Sequence, residues 1–206
     1  MCKLLTTLMF ACAICANAMV TNGGFEAPDA SGNSSGFTRY GPGLDINGWV
    51  VIQSVDLVNE LWPAYSGEQS LDLNASSPGI IAQELQTVPG ATYELSFMLA
   101  ANPTTPYPPT MKLMRTKIAD APVGAFIDYK QFNFDAAGRT YQDMGWREEI
   151  WLFTAQKEST WLIFESLNNG ECGVALDDIA VNLVQIPEPA TLVVLAVGGL
   201  LARKRK

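Results

Sequence analysis

In the stretch TYELSFML, residues 92–99, Tyr93, Leu95, Phe97 and Leu99 fall on one face against Glu94 and Ser96 on the other. Side chains that change face at every step gather into one apolar surface only when the chain is extended, so the stretch reads as a β-strand with one buried face. The order recurs. In TWLIFES (residues 160–166) Leu162 and Phe164 share one face and Trp161 and Ile163 the other. In DDIAVNLV (177–184) Ile179, Val181 and Leu183 oppose Ala180 and Asn182, and in QSLDLN (69–74) Leu71 and Leu73 oppose Asp72. Clusters of Gly, Pro, Asn and Asp separate these runs, and capped segments of helical period are scarce except at the two ends. A chain of 206 residues built this way, with no internal repeat, predicts an all-β fold whose natural architecture is a two-sheet β-sandwich.

The two ends read as appendages. Lys3 precedes an apolar stretch over residues 4–16, and Ala16-Asn17-Ala18 has the small-x-small order that signal peptidase reads, so residues 1–18 are expected to be a signal peptide cleaved after Ala18. A lipoprotein alternative, with Cys12 or Cys15 acylated, is poorly matched by the residues before each cysteine. At the other end, residues 186–206 join Pro187-Glu188-Pro189 to an apolar run of 13 residues and the cluster Arg203-Lys204-Arg205-Lys206. A spanning helix needs about 20 apolar residues, and this run covers roughly 20 Å as a helix. The basic end suits retention on the cytoplasmic side. Physical reasoning alone makes it a marginal transmembrane helix with a stop signal. Residues 19–185 are then the body, a single domain.

Composition prunes what this body does. Outside the two ends, 8 of the 13 basic residues and 20 of the 21 acidic ones remain, a balance of −12 against −8 for the whole chain. Such a surface repels phosphate backbones, so no nucleic-acid partner is expected. The chain has no histidine, which excludes Ser-His-Asp and Cys-His nucleophile activation and every His-ligated zinc or iron site. Of four cysteines only Cys172 lies in the body, which therefore forms no internal disulfide. A GxSxG elbow, an HExxH helix and a phosphate loop are all absent. The carboxylates contain no pair that sequence assigns to glycoside hydrolysis, so the body is expected to be non-catalytic.

Loops and aromatic residues supply the candidate binding positions. SGNSSG (31–36) is polar and flexible, and NPTTPYPPT (102–110) holds four prolines, which bar it from a central strand and leave it a stiff connection carrying Tyr107. Trp62 and Tyr65 fall in ELWPAYSG (60–67), a Pro-Gly loop beside Glu60. Sugar rings stack their apolar faces on such rings while nearby Asp, Asn or Gln take the hydroxyls. Trp62, Tyr65 and Tyr107 are thus candidate ligand contacts, with packing as the open alternative. Trp49, at a strand start, and Trp161, inside a strand, are expected in the core.

Eight stretches in order carry a resemblance: NGGFEAP (22–28), INGWVVIQSVDLV (46–58), SGEQSLDLN (66–74), PGIIAQELQTVPGATYELSFMLAANP (78–103), MGW (144–146), FTA (153–155), LIFESL (162–167) and GVALDDIAV (173–181). Together they resemble the choice-of-anchor C family of secreted bacterial proteins, close to the DUF642 cell-wall proteins and, beyond those, to galactose-binding-like carbohydrate-binding modules. That resemblance implies a jelly-roll sandwich in which a structural Ca²⁺ often joins the N-terminal segment to the last strand. Ca²⁺ takes six to eight oxygens. Here Glu26, the carbonyls of the turn at Gly67, and the Asp177-Asp178 pair are the positions offered. Asp178 capping backbone amides and Glu26 pairing with an arginine is the alternative. The tail resembles the PEP-CTERM sorting signal, with Pro187, Glu188 and Pro189 as the motif read by an exosortase-type sorting protease. This implies a transient inner-membrane anchor and then the cell surface or matrix of a Gram-negative bacterium. The function implied is that of an exported protein associating with exopolysaccharide or cell-surface glycans. A structural matrix protein with protein partners and a glycan-active enzyme are the alternatives.

Overall fold

The computed structural model describes residues 20–104 and 109–185 of the chain. The signal peptide with Ala16 and Ala18, Tyr107, and the tail with Pro187, Glu188 and Pro189 lie outside the described residues. Within them the chain forms β1 (Phe37–Tyr40), β2 (Asp45–Ile46), β3 (Trp49–Gln53), β4 (Val55–Val58), β5 (Ser70–Asp72), β6 (Ile80–Gln86), β7 (Thr92–Ala101), β8 (Met111–Ala119), β9 (Phe126–Asp135), β10 (Arg147–Thr154), β11 (Ser159–Ser166) and β12 (Val174–Gln185). Among the described residues no helix is long and apolar enough to cross a membrane.

The strands pair antiparallel in two six-stranded sheets. The first, sheet A, has the order β1-β4-β5-β12-β7-β10, and the second, sheet B, the order β2-β3-β6-β11-β8-β9. The alternation in residues 92–99 is used as expected: Tyr93, Leu95, Phe97 and Leu99 are buried, and Phe97 meets rings of sheet B edge-on, Phe132 at 5.0 Å and Phe164 at 5.4 Å. Trp49 lies against Phe164 at 5.9 Å and Phe25 at 5.8 Å. A continuous chain of rings thus runs from the N-terminal segment through both sheets.

Two positions depart from the simple alternation. Trp161 does not enter the core between the sheets. It lies part-buried on the outer face of sheet B, over a small apolar cluster of Ala82, Ala119 and Ile163. Asp72, opposed to Leu71 and Leu73 in sequence, does face away from them, yet it is only 3% exposed. The outer face of sheet A is covered there by loops, so a polar position becomes an interior one.

Candidate functional site

Two sites are built on sheet A. The first is a clamp where the N-terminal segment meets the last strand. Thr21 N–H donates to Gln83 Oε1 (2.7 Å), and Gln83 Nε2 donates back to the Thr21 carbonyl (2.9 Å). Trp49 Nε1 donates to the Asn22 carbonyl (3.1 Å), and Ile179 N–H to the Gly23 carbonyl (3.0 Å). Residues 21–23 therefore tie β3 and β6 of one sheet to β12 of the other. A Cβ on Gly23 would sit 2.0 Å from the Ile179 carbonyl oxygen, which is why the stretch reads Asn-Gly-Gly.

The predicted calcium residues gather at this clamp. The Glu26 carboxylate accepts the N–H groups of Glu68 and Gln69 at 3.0 Å. The Gly67 turn wraps it so closely that a Cβ on Gly67, whose φ is +64°, would lie 2.3 Å from Glu26 Oε1. Asp177 is fully buried, and its Oδ2 accepts from the N–H groups of Tyr65 (2.8 Å) and Ser66 (3.0 Å). Its Oδ1 accepts from Asp178 N–H (2.6 Å). Asp178 is exposed and has φ +48°, at the bulge where β12 slips against β7. Burial pushes Asp177 up to about 6, against the pull of its N–H donors. Non-glycine residues with φ > 0 are costly and collect where the surroundings impose them. Asn22, Phe25 and Asp178 all meet that description here.

Does this donor set suit Ca²⁺? A carboxylate takes about four hydrogen bonds, so both Glu26 and Asp177 keep acceptor capacity. They border one spot: a Cβ on Gly24 would lie 3.7 Å from Asp177 Oδ1 and 3.9 Å from both Glu26 Cγ and Ser66 Oγ. Among the described residues no three acidic or thiol groups converge on a metal position. The two carboxylates fit a calcium ion only as part of a set completed by main-chain carbonyls or water.

The second site is a cleft of about 230 Å³ on the outer face of sheet A. The register places Arg39, Asp56, Asp72, Ala175 and Ala100 in one row across β1, β4, β5, β12 and β7. Arg39 grips Asp56 with a two-pronged fork, Nε to Oδ1 at 2.8 Å and Nη2 to Oδ2 at 2.9 Å. Asp72 accepts from Asn74 N–H (3.0 Å), Gly173 N–H (3.1 Å) and Asn102 Nδ2 (2.8 Å). Burial nevertheless pushes it up to about 7. Cys172 is also buried there, and burial raises its thiol to about 11, which makes it a poor nucleophile.

Two loops form the wall. Trp62, only 3% exposed, donates from Nε1 to Ser70 Oγ (2.9 Å) and stacks on Tyr141 with ring centres 6.2 Å apart. The Tyr141 hydroxyl bonds Thr104 Oγ1. Trp146 of the MGW stretch donates to the Pro63 carbonyl (3.3 Å), pinning the second loop to the first. Half-buried Phe37 and Tyr141 are the rings that remain open to the cleft.

The sequence-derived candidates divide accordingly. Glu26, Gly67 and Asp177 come together, with Asp178 beside them facing solvent. Trp62 lines the cleft but spends most of its surface on packing, whereas Tyr65 is 49% exposed and lies outside the cleft lining. Arg39, Asp56, Asp72, Asn102 and Tyr141 were not legible as a group. The one signal available was an acidic residue at the outward position of two neighbouring strands, VDLV and SLD.

The architecture is an antiparallel two-sheet β-sandwich with a cleft on one sheet. The chain belongs to the DUF642 family, described as proteins of unknown function, whose model matches residues 18–182. It is 25% identical over 169 residues, 79% of its length, to Halomucin of Haloquadratum walsbyi, of which it spans 2%. Among solved structures it shares its fold with the CBM22-1 xylan-binding domain of Paenibacillus barcinonensis Xyn10C (16% identity, TM-score 0.51, covering 84% of this chain and 97% of that one). It also resembles part of an arabinose-bound α-L-arabinofuranosidase, MgGH51 (12% identity, TM-score 0.52, covering 82% of this chain and 27% of that one).

Proposed function

We propose that the chain is an exported, non-catalytic surface or matrix protein that binds polysaccharide in the cleft on sheet A. The observation that carries this reading is the pairing of open aromatic rings, Phe37 and Tyr141, with a fixed set of hydroxyl partners in the same cleft, Arg39, Asp56 and Asn102. Rings take the apolar face of a pyranose, and the carboxylate and guanidinium take its hydroxyls. The xylan-binding domain, and the arabinose-bound enzyme that contains a similar sandwich in about a quarter of its chain, support the ligand class. Affinity electrophoresis of the full chain through gels of soluble polysaccharides tests it. Retardation by at least one polysaccharide is expected, lost in Tyr141→Ala while the chain stays folded with a modestly lowered thermal midpoint. Free migration through every gel, with calcium present, would sink the proposal.

The rest of the reading concerns transit and stability. The Pro187-Glu188-Pro189 tail serves an exosortase-type protease, after a transient hold in the inner membrane, with the chain then released to the surface or matrix. Mass spectrometry of the mature C-terminus checks this: an intact basic end overturns it. A structural Ca²⁺ held by Glu26 and Asp177, with main-chain oxygens of Gly67 and Asp178, locks the clamp. Chelation with EDTA is expected to lower the thermal midpoint and added calcium to restore it.

A second reading, a structural protein that pairs with protein partners, is favoured by one observation. The edge strand β9 is largely exposed and carries Phe126 and Tyr129 at 42% and 46% exposure. Exposed edges template strand pairing, so this reading expects self-association that glycans do not compete away.

A further inference from the structure

Building on the reading of the sheet A cleft as a polysaccharide site, we infer that it selects uncharged glycans and rejects those bearing uronate or other anionic groups. An anionic sugar needs an uncommitted cation, best a guanidinium offering its fork. Among the described residues the eight basic side chains are all committed. Six are ion-paired with carboxylates. Lys130 donates to the Ile150 carbonyl (2.8 Å), and Lys112 is only 2% exposed.

Within the cleft the imbalance is sharper. Among the described residues Arg39 is the only basic one lining its surface, and the Nε–Nη2 edge of its guanidinium is filled by Asp56. Three carboxylates, Asp56, Asp72 and Glu171, line the same cleft. Their closeness shows in the Arg39 guanidinium itself, held above its ordinary range first by the hydrogen bond to Asp56 and further by the charges of Asp56, Glu171 and Asp72. A second hollow of about 410 Å³ has Glu26, Asp29, Glu60 and Glu68 in its wall and, among the described residues, no basic one. A carboxylate brought to either place meets like charge in a partly desolvated setting, where repulsion is poorly screened. A neutral glycan instead donates its hydroxyls to those carboxylates as charge-assisted hydrogen bonds.

The test takes whichever neutral polysaccharide retains the full chain and compares its hydroxyethyl and carboxymethyl derivatives at equal substitution. These differ in charge and little in bulk. Retention on the carboxymethyl form is expected to be about tenfold weaker at low salt, with the gap narrowing as salt rises. Glu171→Lys, at an exposed position, is expected to recover about tenfold on the carboxymethyl form while leaving the thermal midpoint unchanged. Equal or stronger retention on the carboxymethyl derivative overturns the selectivity and leaves the polysaccharide reading standing. Retention by no neutral polysaccharide overturns both.

Discussion

Single residues carry much of this fold's specificity, and Gly23 shows how. Its carbonyl receives the Ile179 N–H, and the two backbones lie so close that a methyl group would fall 2.0 Å from the Ile179 oxygen. Gly24, one position on, meets nothing nearer than 3.7 Å. Gly23→Ala is therefore expected to cost about 2–3 kcal/mol, as overpacking does, and Gly24→Ala under about 1 kcal/mol. Urea midpoints of the two variants decide the matter: equal values would remove the close-approach account. Asp72 and Asp177 act through burial. Both have folded-state values, about 7 and about 6, above the ordinary aspartate value of 3.8. Folding therefore takes up protons between these limits, and the stability linked to them is complete below about pH 4 and lost as pH rises through 6 to 7. Glu165 works the other way. Burial pushes it up, but Arg115 and Lys117 outweigh burial and hold it low, so its contribution is lost on acidification below the ordinary glutamate value of 4.5. Thermal midpoints are expected to peak between about pH 4 and 4.5 and fall toward pH 8, with Asp72→Asn flattening the alkaline limb. A midpoint that climbs steadily from pH 5 to 8 contradicts this.

At the scale of elements, the cleft is a product of two loops laid over one sheet. Trp62 and Tyr141 stack although they come from different loops, and Trp146 fastens the second loop to Pro63. The two rings divide the labour. Trp62 is buried and hydrogen-bonded, so Trp62→Ala is expected to destabilise by about 3–5 kcal/mol. Tyr141 is half-buried, and Tyr141→Ala is expected to lose glycan retention at a much smaller cost in stability. Denaturant titrations of both variants alongside affinity gels separate these roles; a greater stability loss in the tyrosine variant would reverse the assignment. The strands themselves were readable in part. β7, β11 and β12 alternate cleanly because one face is buried along most of their length. β9 was not found, since its burial is confined to the Phe132 and Phe134 end and the rest is exposed edge. β1 and β2, at four and two residues, are too short for a period to show.

For the molecule as a whole, the rings of Phe25, Trp49, Phe164, Phe97 and Phe132 form one contiguous path between the sheets. With no disulfide among the described residues, this shared core is what couples sheet A to sheet B. Unfolding in urea is accordingly expected as one transition, with tryptophan fluorescence and far-ultraviolet circular dichroism coincident. Separate transitions for the two signals would mean that the sheets are independent units.

What the residue order determined unaided is local. Period-two alternation dictates extended chain, and the lack of histidine removes whole classes of chemistry. The meeting of Glu26, Gly67 and Asp177 was expected only through the family resemblance, which makes the first and last segments of the sandwich neighbours. The tertiary structure alone decided which outward-facing positions lie under loops. Asp72 and Asp56 look like solvent-facing acids in their strands, and they become the floor of a cleft because Trp62 and Tyr141, 79 positions apart, close over them. Alternation reports the pleat of one strand over a few residues, whereas loop coverage depends on contacts between distant segments that leave no periodic trace.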